Sequence, residues 1–522
     1  MPESVPPWLA VMRGITGLTE TPGSASNPKI VGMAEKIGER WPHQADYAAL
    51  YTGDDIPWCG VAVGYCISES GIEPVFGDVD VERWMWANAW ANWPESYLLS
   101  SPKLGCIVVL NDSGHVALYE STEGAYYNLR GGNQSDQVNV KSFPISNVVA
   151  LVWPKAAGPL APDERRVVSE GDSGADVADI QASLALPVDG DFGPTTEAGV
   201  IAFQKAAGLG ADGVVGESTW TALDELDRRM EAGTDGIPDE LSVAIEECVA
   251  RADAVHAIAW KDRGYPPDGY YAGMAKAFAL AIDRWNEEDP AARIMAGKAG
   301  DPDADALAYY ASEFAALGMS NAVSGLDTLR HLFVMMVGLG MRESSGNHWE
   351  GRDLSADNVQ SETAEAGLFQ TSWNINAFAP AEIKGLLAEY RADPNGFQPT
   401  FGRDVEPDQG NLDLFGSGDG AKYQFLSKFS PAFTVLVTAV GMRRGRAHWG
   451  PIGRKEVEIK SAVDDMLQDV QNLTMGYRPP EPIEPEPPAA DEAEATITIE
   501  SEGAVKVYVV NKTPPPSIKG EL

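Results

Sequence analysis

Residues Val167 to Leu223 read VVSEGDSGADVADIQASLALPVDGDFGPTTEAGVIAFQKAAGLGADGVVGESTWTAL. Two Asp-Gly-x-x-Gly turns punctuate this stretch, Asp189-Gly190-Asp191-Phe192-Gly193 and Asp212-Gly213-Val214-Val215-Gly216. Asp tolerates tight-turn geometry and Gly supplies positive φ, so each turn feeds a helix. Val177, Ile180 and Leu184 recur at helical spacing before the first turn, Val200, Phe203 and Ala207 between the turns, and Trp220 and Leu223 after the second. That periodicity predicts three short helices in a bundle of roughly 60 residues.

Together with Gly171, Gly174, Asp176, Gln181, the Asp189–Thr196 run, Gln204 and Thr219, these positions resemble the peptidoglycan-binding domain found in many cell-wall hydrolases. The resemblance implies an anchor without chemistry of its own, with peptidoglycan as its partner and Asp189, Phe192 and Trp220 among the residues that meet it. Any activity then belongs to the flanks. The expected layout is a first domain over 1–155, a linker over 156–165, the three-helix domain over 166–228, a linker over 229–238, a helical domain over 239–475 and a tail over 476–522. Both linkers are marked by composition, Ala156 to Pro162 and Glu231 to Pro238.

The chain has 522 residues, with 39 Lys and Arg against 77 Asp and Glu, a net charge of -38. Nothing offers the basic stripe that nucleic acid requires, and bulk charge disfavours adhesion to an anionic surface. Wall binding must come from specific sites. Met1 to Gly14 carries Glu3, no basic n-region and no long apolar run, and no later segment reaches the length of a membrane span. The expectation is a protein made in the cytoplasm without an ordinary secretion signal and without membrane insertion. It would reach the wall by holin-dependent release, as part of a virion tail, or through a contractile secretion system. The four cysteines, Cys59, Cys66, Cys106 and Cys248, lack paired metal-site spacing and read as reduced thiols. Cys59 and Cys66 are separated by about 10 Å of helical rise, too far for a disulfide.

In the first flank, Pro57-Trp58-Cys59 leads into a helical pattern continued by Val63, Cys66 and Ile67. Cys59 falls in the first turn, where backbone N–H groups stabilise a thiolate and lower its pKa. Strand patterns follow at Cys106 to Leu110, His115 to Glu120, Tyr126 to Leu129, Val138 to Val140 and Val148 to Trp153. A helix with a cysteine, then strands with a histidine and a polar residue, is the layout of a Cys-His-polar triad. The PWC run, His115-Val116-Ala117-Leu118-Tyr119, Gly131-Gly132-Asn133-Gln134-Ser135 and the upstream Thr21–Ile30 segment resemble the NlpC-like and CHAP-like cysteine peptidases and amidases of the papain fold. The resemblance implies Cys59 as nucleophile, His115 as base and Asn133 as orienting residue, with Asp136 as a rival third member. Trp58 would line the cleft. Asp54 and Asp55 lie close enough in sequence to line it too, or to cap a helix.

The second flank is mostly helical in pattern, over Leu241 to Ile258, Tyr270 to Trp285 and Ala304 to Leu317. Leu332 to Met341 is apolar all round, which predicts a buried helix ending at Glu343. A carboxyl held there is partly desolvated and favours its protonated form, as a general acid for glycosidic cleavage requires. Glu343-Ser344-Ser345-Gly346 followed by Gly367-Leu368-Phe369-Gln370 resembles the lysozyme superfamily, in particular goose-type lysozymes and soluble lytic transglycosylases. The resemblance implies Glu343 as acid and Gly367, Phe369 and Gln370 lining the sugar cleft. Phe369 stands where the family has Met. Candidates for a second acid are Glu362, Glu365 and Asp357, with Asp353 also between the motifs. Arg446 to Gly450 would either meet sugar or serve the structure.

From Pro479 the tail is rich in Pro and Glu, and Thr496–Ile499 and Val505–Val510 flank a turn that suits a hairpin. The expected fold class is multidomain α+β: a papain-like α+β domain, a small three-helix wall-binding domain, a mainly α lysozyme-like domain and an acidic tail. The expected function is a phage-type peptidoglycan hydrolase cutting a stem amide and the glycan bond between N-acetylmuramic acid and N-acetylglucosamine. Neither mechanism calls for a metal or cofactor. Two other classes fit the same residues: a tail or baseplate protein with silent sites, and a toxin delivered by a contractile system.

Overall fold

Six antiparallel strands form the sheet of the N-terminal region: β1 (Ser96–Leu98), β2 (Ile107–Leu110), β3 (His115–Glu123), β4 (Tyr126–Gly131), β5 (Asn139–Pro144) and β6 (Val148–Pro154). Their order is β1-β6-β2-β3-β4-β5. The computed structural model describes residues 5–23, 25–76, 81–111, 114–232, 236–352, 360–392, 396–477, 496–501 and 504–509. The chain divides into two compact units, Met1–Met475 and Gly476–Leu522. In the second, Thr496–Ser501 and Ala504–Val509 pair antiparallel, with Ser501 opposite Ala504, as the tail pattern predicts. Pro479 to Ala495 lies outside the described residues.

Central strand β2 is buried at every residue, so it reads as a continuous apolar run. The helix Cys59–Glu69 packs on β3 and is itself buried on almost every side. Gly60 is what lets a second layer approach it. A Cβ there would overlap the Met85 carbonyl, and a Cβ at Gly64 would press on the Trp84 ring. The tryptophan-rich segment is thereby laid across the helix, and Trp84, Trp90 and Trp93 are fully buried. Each such ring removes on the order of 200 Å² from water, which makes this cluster a main source of the region's stability. Strand β1 is absent from the sequence expectation, because three residues show no alternation to read.

The middle region contains the three expected helices, Ala175–Ser183, Pro194–Ala207 and Glu217–Ala232. Val177, Ile180, Leu184, Val200, Phe203, Trp220 and Leu223 are buried as their spacing predicts, whereas Ala207, at a helix end, is exposed. Two glutamines clamp the two turns in the same way. Gln181 Nε2 donates to Asp189 Oδ1 (2.7 Å), the Asp191 carbonyl (3.1 Å) and Thr196 Oγ1 (3.0 Å). Gln204 Nε2 donates to Asp212 Oδ1 (3.0 Å), the Val214 carbonyl (3.0 Å) and Thr219 Oγ1 (3.1 Å).

The stretch 156–165 is not the free spacer its composition suggests. The Ser100 N–H donates to the Glu164 carbonyl (2.8 Å) and the Arg166 N–H to the Leu98 carbonyl (3.0 Å), so the chain pairs with edge strand β1. An edge strand offers unsatisfied backbone groups, and composition is blind to that neighbour. Arg165 then lies between the rings of Tyr97 (5.3 Å) and Trp220 (4.8 Å) and bonds Asp224 at 2.9 Å. On its other side the middle region rests on the helical one. Lys205 Nζ donates to the Leu414 carbonyl (2.9 Å), Gln398 Nε2 to the Ala185 carbonyl (3.2 Å), and Phe203 meets Phe425 at 6.3 Å.

In the helical region, the segment expected over Leu241–Ile258 divides into Asp239–Ala250 and Asp253–His256, and that over Ala304–Leu317 into Ala306–Tyr309 and Ala311–Ala316. Tyr270–Asn286 and Leu326–Ser344 are continuous. The second is buried from Thr328 to Met341, in keeping with its all-round apolar pattern. Among the described residues no single helix is long and apolar enough to cross a membrane, and the apolar pair Gly418–Phe429 and Pro431–Met442 is bent by 113°. Both of these helices are buried along most of their length.

Candidate functional sites

Cys59 is the first residue of its helix, after Trp58 in the N-cap position. The turn before it is tied down by Asp54, whose Oδ2 accepts the backbone N–H groups of Thr21 (2.9 Å) and Asn27 (2.8 Å). Those donors, Asn27 foremost, hold the Asp54 carboxyl below its usual range. Asp54 thus anchors the Thr21–Ile30 segment, and Asp55 is exposed. The Cys59 thiol points at the Gly114 carbonyl, with Sγ 4.0 Å from the oxygen. His115 follows directly and begins β3.

His115 is buried, stacks on Phe143 with ring centroids 5.4 Å apart, and has Nε2 at 3.1 Å from Gln134 Oε1. The Gln134 amide has one orientation open to it. Its Nε2 donates to the carbonyls of Leu129 (3.3 Å) and Asn139 (2.7 Å) and to Asn139 Oδ1 (3.0 Å), so Oε1 faces the imidazole. Nε2 of His115 is therefore the donor in this hydrogen bond.

The polar side chain bonded to His115 is Gln134, one residue after the expected Asn133. Asn133, Ser135 and Asp136 all have left-handed backbones (φ 56°, 59° and 60°), and this succession of turns decides which side chain faces inward. Trp58 does not line a cleft. It is fully buried, donates from Nε1 to Glu20 Oε1 at 2.8 Å, and lies against Gly132, where a Cβ would clash with its ring. The thiol also differs from expectation. Burial pushes the Cys59 pKa up, and the backbone N–H groups of Val116, Gly60 and Cys59 itself offset that only in part. Beside Cys59 opens a cavity of about 360 Å³ bounded by Leu50, Ile56, Pro57, Met85 and Trp86. All four cysteines are free thiols.

The second candidate centre is built at the other end of a helix. Ser345 (φ 58°) terminates Leu326–Ser344, so Glu343 is the penultimate helical residue. Ser344 Oγ donates to the Leu368 carbonyl at 2.8 Å, tying the helix end to Gly367–Gln370. That segment is a tight loop. Ala366 bridges Thr371, the Gly367 N–H donates to the Glu350 carbonyl (2.9 Å), and a Cβ on Gly367 would overlap the Ser427 carbonyl. Gly367 and the Phe369 side chain are buried, so they shape this loop rather than line a surface, while Gln370 is half-buried and returns its amide to the Gly367 carbonyl (3.1 Å). In the Arg446–Gly450 run, Trp449 is buried and donates to the Phe369 carbonyl (3.1 Å), a structural role.

Burial raises the Glu343 pKa to about 7, the neighbouring Glu365 charge adds to the rise, and Arg454, Arg263 and Arg342 oppose it. Of the second-acid candidates, half-buried Glu365 is the one whose charge reaches Glu343; Glu362 is exposed, and Asp353 and Asp357 lie outside the described residues. A further carboxyl, Glu350, went unread in the sequence. It is raised by burial and by Asp408 and feels Arg263, the cation it shares with Glu343. No motif marks it; only its place seven residues after Glu343 could have drawn notice.

In the middle region, Phe192 and Trp220 belong to the core, and Asp189 spends its carboxylate on Gln181 and the Asp191 N–H (2.9 Å). Phe192 and Trp220 thus pack the interior, while Asp189 stands exposed at its turn.

Residues 173–223 match the sequence family described as "Putative peptidoglycan binding domain". A zinc D-Ala-D-Ala carboxypeptidase of Streptomyces albus G is 42% identical over 67 residues, which cover 11% of this chain and 26% of that protein. A protein of Kitasatospora aureofaciens, described as an uncharacterized protein in the bpoA1 3' region, is 43% identical over 65 residues, covering 11% of this chain and 55% of its own. The likenesses span only part of either relative. They support a peptidoglycan-related protein with peptidoglycan as a binding target. Among the described residues no group of three or more His, Cys, Asp or Glu is placed to hold a metal ion.

Proposed function

We propose that the chain is a peptidoglycan hydrolase with two catalytic centres on either side of a wall-binding region. At the first, His115 Nδ1 takes the Cys59 proton, the thiolate attacks a wall amide to form a thioester, and water releases the acyl group. Gln134 keeps the imidazole in the required tautomer. At the second, protonated Glu343 donates to the glycosidic oxygen, and Glu365 is the carboxylate that positions water or steadies the developing charge. Such an enzyme meets its substrate outside the cytoplasm, after holin-dependent release, on a virion, or through a contractile system.

The observation that carries this reading is the Cys59–Gly114 contact, one residue before a His115 held by Gln134, with a cavity beside the thiol. Purified sacculi digested with wild type, Cys59→Ala and Glu343→Gln provide the test, with products identified by mass spectrometry. Each variant should lose one class of product and keep the other. Product patterns identical to wild type in both variants would sink the two-centre reading.

A further inference from the structure

The cavity beside Cys59 has largely apolar walls. Trp86 is 64% exposed, Leu50 64% and Ile56 40%, three large apolar side chains facing solvent around one thiol. Exposed apolar groups gathered in a concavity mark a binding surface. Trp86 is not a loose ring. The Met85 carbonyl is seated on Gly60, one residue after Cys59, and Trp84 is buried against Gly64. The Trp86 N–H donates to the Arg83 carbonyl (2.9 Å), and its own carbonyl accepts the Ala89 N–H (3.1 Å). The backbone that carries the indole is thus held at a fixed place relative to the helix of Cys59.

Resting on the cysteine-hydrolase reading above, we infer that Trp86 stacks on the pyranose of N-acetylmuramic acid, so that Cys59 cuts the amide between its lactyl group and the first stem residue. Two observations favour this bond over those within the stem. Among the described residues lining the cavity none is cationic, so a stem residue bearing a free carboxylate finds no partner there. The charges of Asp54, Glu20 and Asp55 act on Tyr51, which lines the same cavity, and would repel such a group. A sugar ring is neutral and presents a face of C–H groups, which suits an exposed indole.

In the reaction, a C–S bond forms between Cys59 and the lactyl carbonyl carbon. The C–N bond then breaks, and the proton held by His115 passes to the departing α-amine. Water next attacks the thioester. Its oxygen becomes part of the lactyl carboxylate, one of its protons passes to His115, and the sulfur leaves as thiolate and takes that proton from His115. The products are a sugar with a free lactyl acid and a stem peptide with a new amino terminus.

The test uses the full chain and two substrates, a disaccharide-pentapeptide and the same pentapeptide with an acetyl group in place of the sugar. Cleavage should be confined to the sugar-bearing substrate. Trp86→Ala should raise KM about tenfold or more with kcat within about threefold, and Trp86→Phe should restore most of the loss. Equal cleavage of the acetyl-peptide, cleavage at an inner amide, or an unchanged KM in Trp86→Ala would overturn the inference while leaving the cysteine hydrolase standing. Absence of any Cys59-dependent cleavage would overturn both.

Discussion

Cys59 begins one helix and Glu343 all but ends another, and burial raises the pKa of both. The chemistry that the proposed function asks of them is opposite. A general acid needs its proton at working pH, so for Glu343 desolvation, helped by the Glu365 charge, brings the group to about 7, where it can give that proton up. A thiol nucleophile needs to lose its proton, so for Cys59 the same desolvation is an obstacle that the backbone N–H groups of Val116, Gly60 and Cys59 only partly offset. The difference explains the architecture around each. Glu343 is set by burial and by the charges of Glu365, Arg454, Arg263 and Arg342. Cys59 is set against the chain that carries an imidazole, itself held by an amide with three bonds of its own.

The comparison breaks outright if one substitution silences both centres. Cys59→Ala should lower amide cleavage at least ~10³-fold and leave glycan products unchanged, and Glu343→Gln should lower glycan cleavage ~10²–10⁴-fold and leave amide products unchanged. Quantified digests of sacculi read both at once. Next in size is the support of the histidine. Gln134→Leu should cost roughly 10–100-fold in kcat for amide cleavage, while Asn133→Ala stays within about threefold. Steady-state kinetics of the two variants decide which residue orients the ring.

The two centres should also answer pH in opposite senses. Glycan cleavage should fall about tenfold between pH 6 and 8 as Glu343 loses its proton, whereas amide cleavage should climb over the same range as thiolate becomes available. The Glu343 shift has a stability counterpart. Its folded pKa lies above the unfolded value, so the folded chain holds the extra proton. The stabilisation is complete below the ordinary carboxyl range and is lost as pH rises through about 7. Glu343→Gln should flatten that decline, by on the order of 1–3 kcal/mol, in urea melts at pH 5 and pH 8. Beyond the rate it costs as the proposed second carboxylate, Glu365→Gln should give the smallest shift of the pH profile. Removing a like charge should move the falling limb of the glycan profile down by a fraction of a pH unit.

What is legible in the sequence follows from what periodicity and punctuation encode. The three helices of the middle region, the strands from β2 onward and the buried helix before Glu343 are all written in spacing. Cys59 and His115 are written too, because an unusual residue at an element boundary is visible. The third polar residue is not. Whether Asn133 or Gln134 faces the imidazole depends on three left-handed residues around them, none of them glycine. Nor does sequence give burial: Trp58 and Trp86 are both near the thiol, and only the fold hides one and exposes the other. The stretch 156–165 looks like a spacer because its partner, β1, lies more than 50 residues earlier and is itself too short to read.

The paired glutamine clamps have a consequence in time. Gln181 and Gln204 reach partners between 8 and 15 residues away, so each turn closes a short loop at little entropic cost. The N-terminal sheet depends on contacts such as Trp8 to Gly105 and Arg13 to Glu120, 97 and 107 residues apart. Contacts this local form sooner than contacts this distant. In pulse-labelled refolding, the amides of Ala175–Ser183 and Pro194–Ala207 should be protected before those of β2 and β3. The wall-binding middle is then the first part of the chain to set, and the flanks complete themselves around it.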